Sequence, residues 1–440
     1  MTLKNTSNYE TFGRLCPQSR LMMKRIIAIV IFIAPLYGLA QPIVLSGKIT
    51  DEQTKLPLSF ATILVQGRAD GTVSNGDGEF DLIVPQDSGN DTLLISMMGY
   101  DTYRSIIRQI QHSGAMLVNL KPRPIELKEV VISEKKVSPR EIVLTAFKDV
   151  KNNFLKTPYV MKGFYRETYL EDGKAVLLTE VAIDVYDKGY TTHDPEKVDV
   201  RSIRTSMNYR NDCFKKTVVE RYNLLVTALR CNPIKYQPPY LVGNLKKAKF
   251  RIDSVVYLND RPVYVISYFT YIARFPLFER KNTVCIDAEN HIIYKYGWDE
   301  YATQGKYSEK AWRLSQDSPY LISRRRISTI YEYGSYEGKM GLKYYDSKCY
   351  DDILNASDGS VALEALNQET WVITGVDTKN VDSNHPETLR RDQSLNAQAK
   401  QYDPAFWKNY KEVKLVPLTR KDVKNLEKEM TLEKQFGSSK

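Results

Sequence analysis

The 440-residue chain is longer than one average domain and suits two or three. Its composition, 42% hydrophobic and 26% charged, excludes a disordered chain. The formal charge of +10 owes much to the first 40 residues, which hold five Lys/Arg and one acid; without them it is +6. The remaining charges are interspersed, so the sequence carries no nucleic-acid footprint.

Met23-Lys24-Arg25 followed by the apolar run Ile26–Leu36 and by Gly38-Leu39-Ala40 has the layout of a secretory signal peptide. The expected true start is Met22 or Met23, residues 1–40 are removed, and Gln41 opens the mature chain. The apolar run is shorter than the roughly 20 residues that span a bilayer. Export places the protein in the periplasm or in association with the outer membrane. It also exposes Cys213, Cys231, Cys285 and Cys349 to an oxidising compartment. Three pairings exist. Cys213–Cys231, flanking one helical segment, is the expected disulfide, with four buried thiols as the alternative.

Residues 42–121 read as short strands separated by turns. Ala61, Ile63 and Val65 alternate on one face, as do Phe80, Leu82 and Val84 after the turn Asn75-Gly76-Asp77-Gly78. Val44–Thr50, Leu93–Met97 and Met116–Leu120 complete a small sandwich. The run LSGKITDEQTKLPLSFATILVQG (45–67), TVSNGDGEFDL (72–82) and LLISMMGYDTY (93–103) resembles the carboxypeptidase regulatory-domain-like family. Gly47, Pro57, Leu58, Ala61, Asn75, Gly78, Phe80, Gly99 and Tyr100 carry the likeness. The resemblance implies a seven-stranded transthyretin-like β-sandwich, found as an accessory domain of metallocarboxypeptidases and at the front of TonB-dependent receptors. Asp70, Asn75, Asp77 and Glu79 are candidate calcium ligands, but a polar hairpin needs such residues anyway. Tyr100 and Tyr103 are candidate sugar-stacking rings, against a turn and packing role.

Pro122–Val137 is the expected linker. Ser138-Pro139-Arg140-Glu141 then starts a helix with a capping box and Pro at its first position. Ile142, Val143, Ala146, Phe147, Val150 and Phe154 follow at helical spacing as a core-facing stripe. From 159 onward paired runs flank turns: 159–169 with 175–186, 250–258 with 263–269, 283–288 with 291–298, and 326–333 with 340–350. A strand at 370–374 adds to them. This predicts a larger antiparallel, β-rich, open half-barrel-like domain at 138–400 with few helices, making the whole chain mainly β. Segments 196–245 and 300–320 give no clear pattern. RPVYVISY (261–268) with VCIDAENHIIYK (284–295) resembles a lipoprotein-carrier half-barrel. In the C-terminal segment 401–440 a helix is expected from Thr419, with Val423, Leu426 and Met430 on its apolar face. That ending, with the sandwich in front, resembles a group of exported proteins of bacteria with TonB-dependent receptors.

The regulatory-domain resemblance raises a zinc carboxypeptidase, whose site needs H-x-x-E and a distant His. His193-Asp194-Pro195-Glu196 and His291 are the only candidates. The proline inside the motif, the four histidines in all and the β-meander around them speak against convergence. His193 and Glu196 are expected on a solvated loop and His291 at a hairpin turn. No nucleophile elbow, phosphate loop or dinucleotide fingerprint occurs. The expectation is therefore a non-catalytic envelope binding or structural protein without a cofactor. Its partner would be an envelope protein, a glycan or a lipid, with peripheral membrane association and no nucleic acid. The alternatives are a carrier of an apolar ligand in the half-barrel, a carbohydrate-linked binding protein, and an enzyme of another type.

Overall fold

The computed structural model describes residues 43–68, 71–75, 77–110, 114–123, 138–211, 223–237, 245, 248–271, 278–302, 311–313, 318–379, 381–398, 402–410 and 420–438. The expected signal peptide, most of the linker and Cys213 lie outside them.

Seven strands form the first unit: β1 (Ile43–Asp51), β2 (Thr62–Val65), β3 (Gly71–Val73), β4 (Glu79–Val84), β5 (Thr92–Ser96), β6 (Tyr103–Ile106) and β7 (Met116–Leu120). A single helical turn, α1 (Ile107–Ile110), separates the last two. One sheet has the order β4-β1-β7 and the other β3-β2-β5-β6, which is the expected sandwich. Ile49, Ile63, Val65, Phe80, Leu82, Leu93 and Ile95 fill the space between them. Gly47 is required because a Cβ there would lie 2.5 Å from Met116 Cγ and 2.7 Å from Phe80 Cε1. Gly78 has φ +75°, and its Cβ would lie 2.2 Å from the Ile49 carbonyl oxygen.

The second unit opens with α2 (Pro139–Asn153). Ser138 Oγ accepts the Glu141 N–H, and the Glu141 carboxylate accepts the Ser138 N–H, closing the predicted capping box. There follow β8 (Tyr159–Glu171), β9 (Lys174–Asp187), β10 (Lys197–Thr205), α3 (Leu224–Arg230), β11 (Phe250–Leu258), β12 (Arg261–Tyr271), β13 (Phe278–Asp287) and β14 (Ile293–Ala302). A short β15 (Trp312–Arg313) precedes β16 (Tyr320–Tyr336), β17 (Lys339–Asn355) and β18 (Val361–Asp377). The strands form one eleven-stranded sheet, ordered β10-β9-β8-β18-β17-β16-β14-β13-β12-β11, with β15 paired to β16. Every pairing in it is antiparallel. It is an open sheet with two edges rather than a closed barrel.

One cross-strand row explains the inner face. Val181, Tyr165, Trp371, Tyr345, Tyr331, Tyr296, Val284 and Ile266 are directly opposed on eight successive strands. All belong to the main core, together with the apolar stripes of α2 and α3. The tyrosine hydroxyls are satisfied internally: Tyr331 donates to the Ala228 carbonyl at 2.8 Å, and Tyr345 to Glu369 at 3.0 Å. The helices thus cover this face of the sheet.

The outer face is covered in pieces. The helices α4 (Pro404–Asn409), α5 (Arg420–Leu426) and α6 (Leu432–Ser438) lie over β8 and β9. Trp407 packs on Phe164 and Ala182, and Leu426 and Phe436 pack on Ala175 and Leu178. The expected single helix through Met430 is two: α5 ends at Leu426 and α6 restarts at Leu432. Beneath them Glu180 is buried between Arg166 and Arg204, each 2.5 Å away, and Arg204 stacks over Trp407.

Candidate functional site: a cleft between the two units

The sandwich meets the outer face at two anchor points. At the first, the Phe60 ring lies 4.8 Å from the Tyr344 ring, with Val73 and Val372 beside them. Phe60 has φ +65°, a backbone region that a bulky residue adopts only under strain. At the second, Arg104 and Arg123 reach Asp260 at 3.2 and 3.0 Å, and Arg123 stacks on Tyr257. Asn259 and Asp260 both have positive φ, making the tight β11–β12 turn that presents this carboxylate.

Between the anchors lies a cleft of about 900 Å³, within the range of about 300–1,000 Å³ common for small-molecule sites. The sandwich contributes the outward side of β2 and β5, where Leu64 and Leu94 face each other across the ladder, together with Met97 and Met98. The large sheet contributes Leu258, Ile292, Ile330 and a cluster of charged side chains.

Four cations line the cleft: Arg68, Arg261, Lys295 and Lys343. Arg68 pairs with Asp91 at 2.6 Å, Arg261 with Asp287 at 2.8 Å and Lys295 with Glu332 at 3.1 Å. Lys343 differs. Its Nζ donates to Thr62 Oγ1 of the sandwich at 2.6 Å. Among the described residues no ion pair joins it to a carboxylate. Burial pushes its ammonium down to about 8, with only the Glu332 charge opposing. Burial also pushes the Asp346 carboxyl upward, although Thr370 and Gln368 donate to it.

A register shift in β17 falls at Lys343. Leu342 opposes Tyr333 and Tyr344 opposes Glu332, so Lys343 is the extra residue of a β-bulge. Leu342 belongs to the inner core, whereas Lys343 and Tyr344 both line the cleft. Without the bulge, alternation would set these neighbours on opposite faces.

The residues singled out in the sequence lie elsewhere. His193 is exposed on its loop, 6.3 Å from the Tyr236 ring, and His291 follows the β13–β14 turn with φ +58°. Glu196 corrects the expectation of a solvated loop: it is buried, and accepts from Lys235 Nζ and Tyr236 Oη, both at 2.8 Å. Lys235 also holds Asp187 at 2.8 Å, so Glu196 belongs to a buried charge cluster. Among the described residues no three His, Cys, Asp or Glu side chains group as a metal site. Asn75, a calcium candidate, is buried and uses Oδ1 to accept the Asp77 and Glu79 N–H groups, shaping the turn; Asp70 lies outside the described residues. Tyr100 donates to Asp51 at 2.8 Å, which fits a packing and turn role. Cys231, half-buried, C-caps α3; Cys285 is buried and reduced.

Residues 45–132 match the family model of the CarboxypepD_reg-like domain, so the front of the chain carries such a domain. No curated protein matches the chain. Among solved structures the chain is similar to a domain assigned to outer membrane lipoprotein sorting from Vibrio parahaemolyticus. That match has 9% identity and a TM-score of 0.25, covering 56% of this chain and 94% of that one. A LolA superfamily protein from Nitrosomonas europaea matches at 11% identity and TM-score 0.24, covering 56% and 96%. A DUF1329 family protein from Desulfovibrio piger matches at 5% and 0.22, covering 56% and 93%. Among the described residues no helix is long and apolar enough to cross a membrane.

Proposed function

We propose that the chain is a non-catalytic binding protein of the bacterial cell envelope and that it takes its ligand in the cleft between the sandwich and the large sheet. The cleft itself carries this reading: a space of about 900 Å³ with apolar side chains from both units and charged groups between them. The envelope location rests on the signal-peptide layout of residues 22–40. The absence of catalysis is supported by charged groups lining the space that are already held by partners in the protein: Lys295 by Glu332, Arg261 by Asp287, and Asp346 by Thr370. A carrier that used the inner face would have to displace α2 and α3, whose stripes are part of the main core. The cleft needs no such rearrangement.

Nile red, a neutral apolar dye, tests this. Saturable binding of one dye per chain is expected. In a Leu64→Trp/Leu94→Trp variant, which fills the sandwich wall, affinity should fall by about tenfold or more, a loss of about 1.4 kcal/mol. Unchanged dye affinity in a variant with native circular dichroism places the binding site elsewhere.

A further inference from the structure

An ammonium taken out of water is costly unless an opposite charge or several hydrogen bonds replace its hydration. Three of the four cleft cations meet that requirement with carboxylates of the protein. Lys343, half-buried, meets it within the protein with a single hydroxyl, Thr62 Oγ1. Its position is not an accident of a flexible surface stem. It sits at a bulge in β17, beside Tyr344 on the cleft side, and the hydroxyl that receives it belongs to the other unit. The carboxylate whose charge acts on it, Glu332, is already engaged by Lys295. The same cleft is lined by the apolar side chains of Leu64, Leu94, Met97, Met98 and Ile292. A cation in such a setting complements a ligand with one negative group on an apolar body.

We propose, building on the cleft reading above, that Lys343 anchors the anionic head of an amphiphile, a carboxylate or phosphate ester whose apolar part lies along Leu64, Leu94 and the two methionines. The ammonium keeps its bond to Thr62 and gives a second hydrogen to the anion. The charge that burial now penalises is then neutralised by the ligand. The class excludes cationic amphiphiles, which would meet Lys343 head-on. It also excludes small inorganic anions, which leave the apolar walls uncovered.

The test displaces Nile red from the full chain with four compounds of equal chain length, each below its micellar concentration. These are dodecanoate, dodecyl phosphate, dodecanol and dodecyltrimethylammonium, with inorganic phosphate as a fifth probe. Dodecanoate and dodecyl phosphate should compete about tenfold or more better than dodecanol, the worth of one charge-assisted hydrogen bond. The cation and inorganic phosphate should displace nothing. Preference for dodecyl phosphate over dodecanoate would point to a lipid headgroup, and the reverse to a free fatty acid. In Lys343→Met the two anions should lose their advantage and compete no better than dodecanol. Lys343→Arg should keep the anion preference, and Lys343→Gln repeats the loss with a polar side chain should methionine disturb the fold. Equal competition by all amphiphiles in the parent protein, or an anion preference that survives in both Lys343→Met and Lys343→Gln, overturns the anchor and leaves the cleft reading standing. A dye that ignores Leu64→Trp/Leu94→Trp overturns the cleft reading and the anchor with it.

Discussion

The two faces of the large sheet end in opposite states. On the inner face a row of tyrosines and Trp371 is met by α2 and α3, whose side chains interdigitate with it into one core. On the outer face the central strands meet a domain instead of a helix. The sandwich already buries its own apolar residues between its two sheets, so it presents a finished surface. It touches through Phe60, Thr62 and Asp260 and leaves the space between them unfilled. A helix packs by inserting side chains into grooves, whereas a closed domain can only rest on a neighbour. A cleft therefore arises on the face with the more rigid cover.

This contrast is sharpest in truncation. Trp371→Ala removes a ring with no exposure from the sealed face and should cost about 3–5 kcal/mol in denaturant unfolding. Phe80→Ala in the sandwich core should cost about the same, 3–5 kcal/mol, because that core too is closed. A loss below about 1 kcal/mol at either position would mean that its surroundings collapse freely, and the distinction between sealed and open regions would fail.

The sealed face also contains charge that it penalises. Glu167 and Glu369 are directly opposed on β8 and β18, and the Tyr165 hydroxyl lies 3.2 and 3.1 Å from them. Burial pushes Glu369 from the ordinary value of 4.5 to about 8 and Glu167 to about 7, with the Glu167 charge adding to the rise at Glu369. A raised carboxyl contributes stability that is complete below about 4.5 and lost as pH rises through about 8. Glu369→Gln should therefore gain roughly 1–3 kcal/mol at pH 8 and nearly nothing at pH 4. Equal effects at the two pH values would show that the pair is hydrated. The smallest effect belongs to the open face. Phe60→Ala loses one ring contact and relieves none of its backbone strain, so about 0.5–1.5 kcal/mol is expected, read as a lower unfolding midpoint.

Much of the local structure was legible because local chemistry decides it. The Ser138–Glu141 capping box, the Glu171-Asp172-Gly173 turn and the alternating strands of the sandwich each involve residues a few positions apart. The segment 196–245 was opaque for the opposite reason. β10 alternates only weakly and has a bulge between Val200 and Ser202, and its outer edge is held by Thr388, almost 190 residues away. Glu196 looked like a loop residue because Pro195 precedes it, yet Lys235 and Tyr236 close over it. None of the cleft was read from sequence. Its walls come from two units, and Lys343 and Tyr344 face it together because a bulge breaks the alternation of Leu342, Lys343 and Tyr344. The sole local sign is a lysine set within an otherwise apolar run.

The strand order also carries a timetable. β8 is the first strand of the large sheet in the chain and β18 the last, yet they pair along their lengths, with Tyr165 and Glu369 204 residues apart. Closing so long a loop is entropically costly, and pairings of this kind form late. Until residue 377 has been added, the β8–β9 hairpin has an unpaired edge along the segment from Met161 to Glu171, much of it destined for burial. Such an edge invites pairing with another chain. The interior of the finished sheet is the exposed edge of the unfinished one, and a chaperone that shields it would act on β8 until β18 arrives.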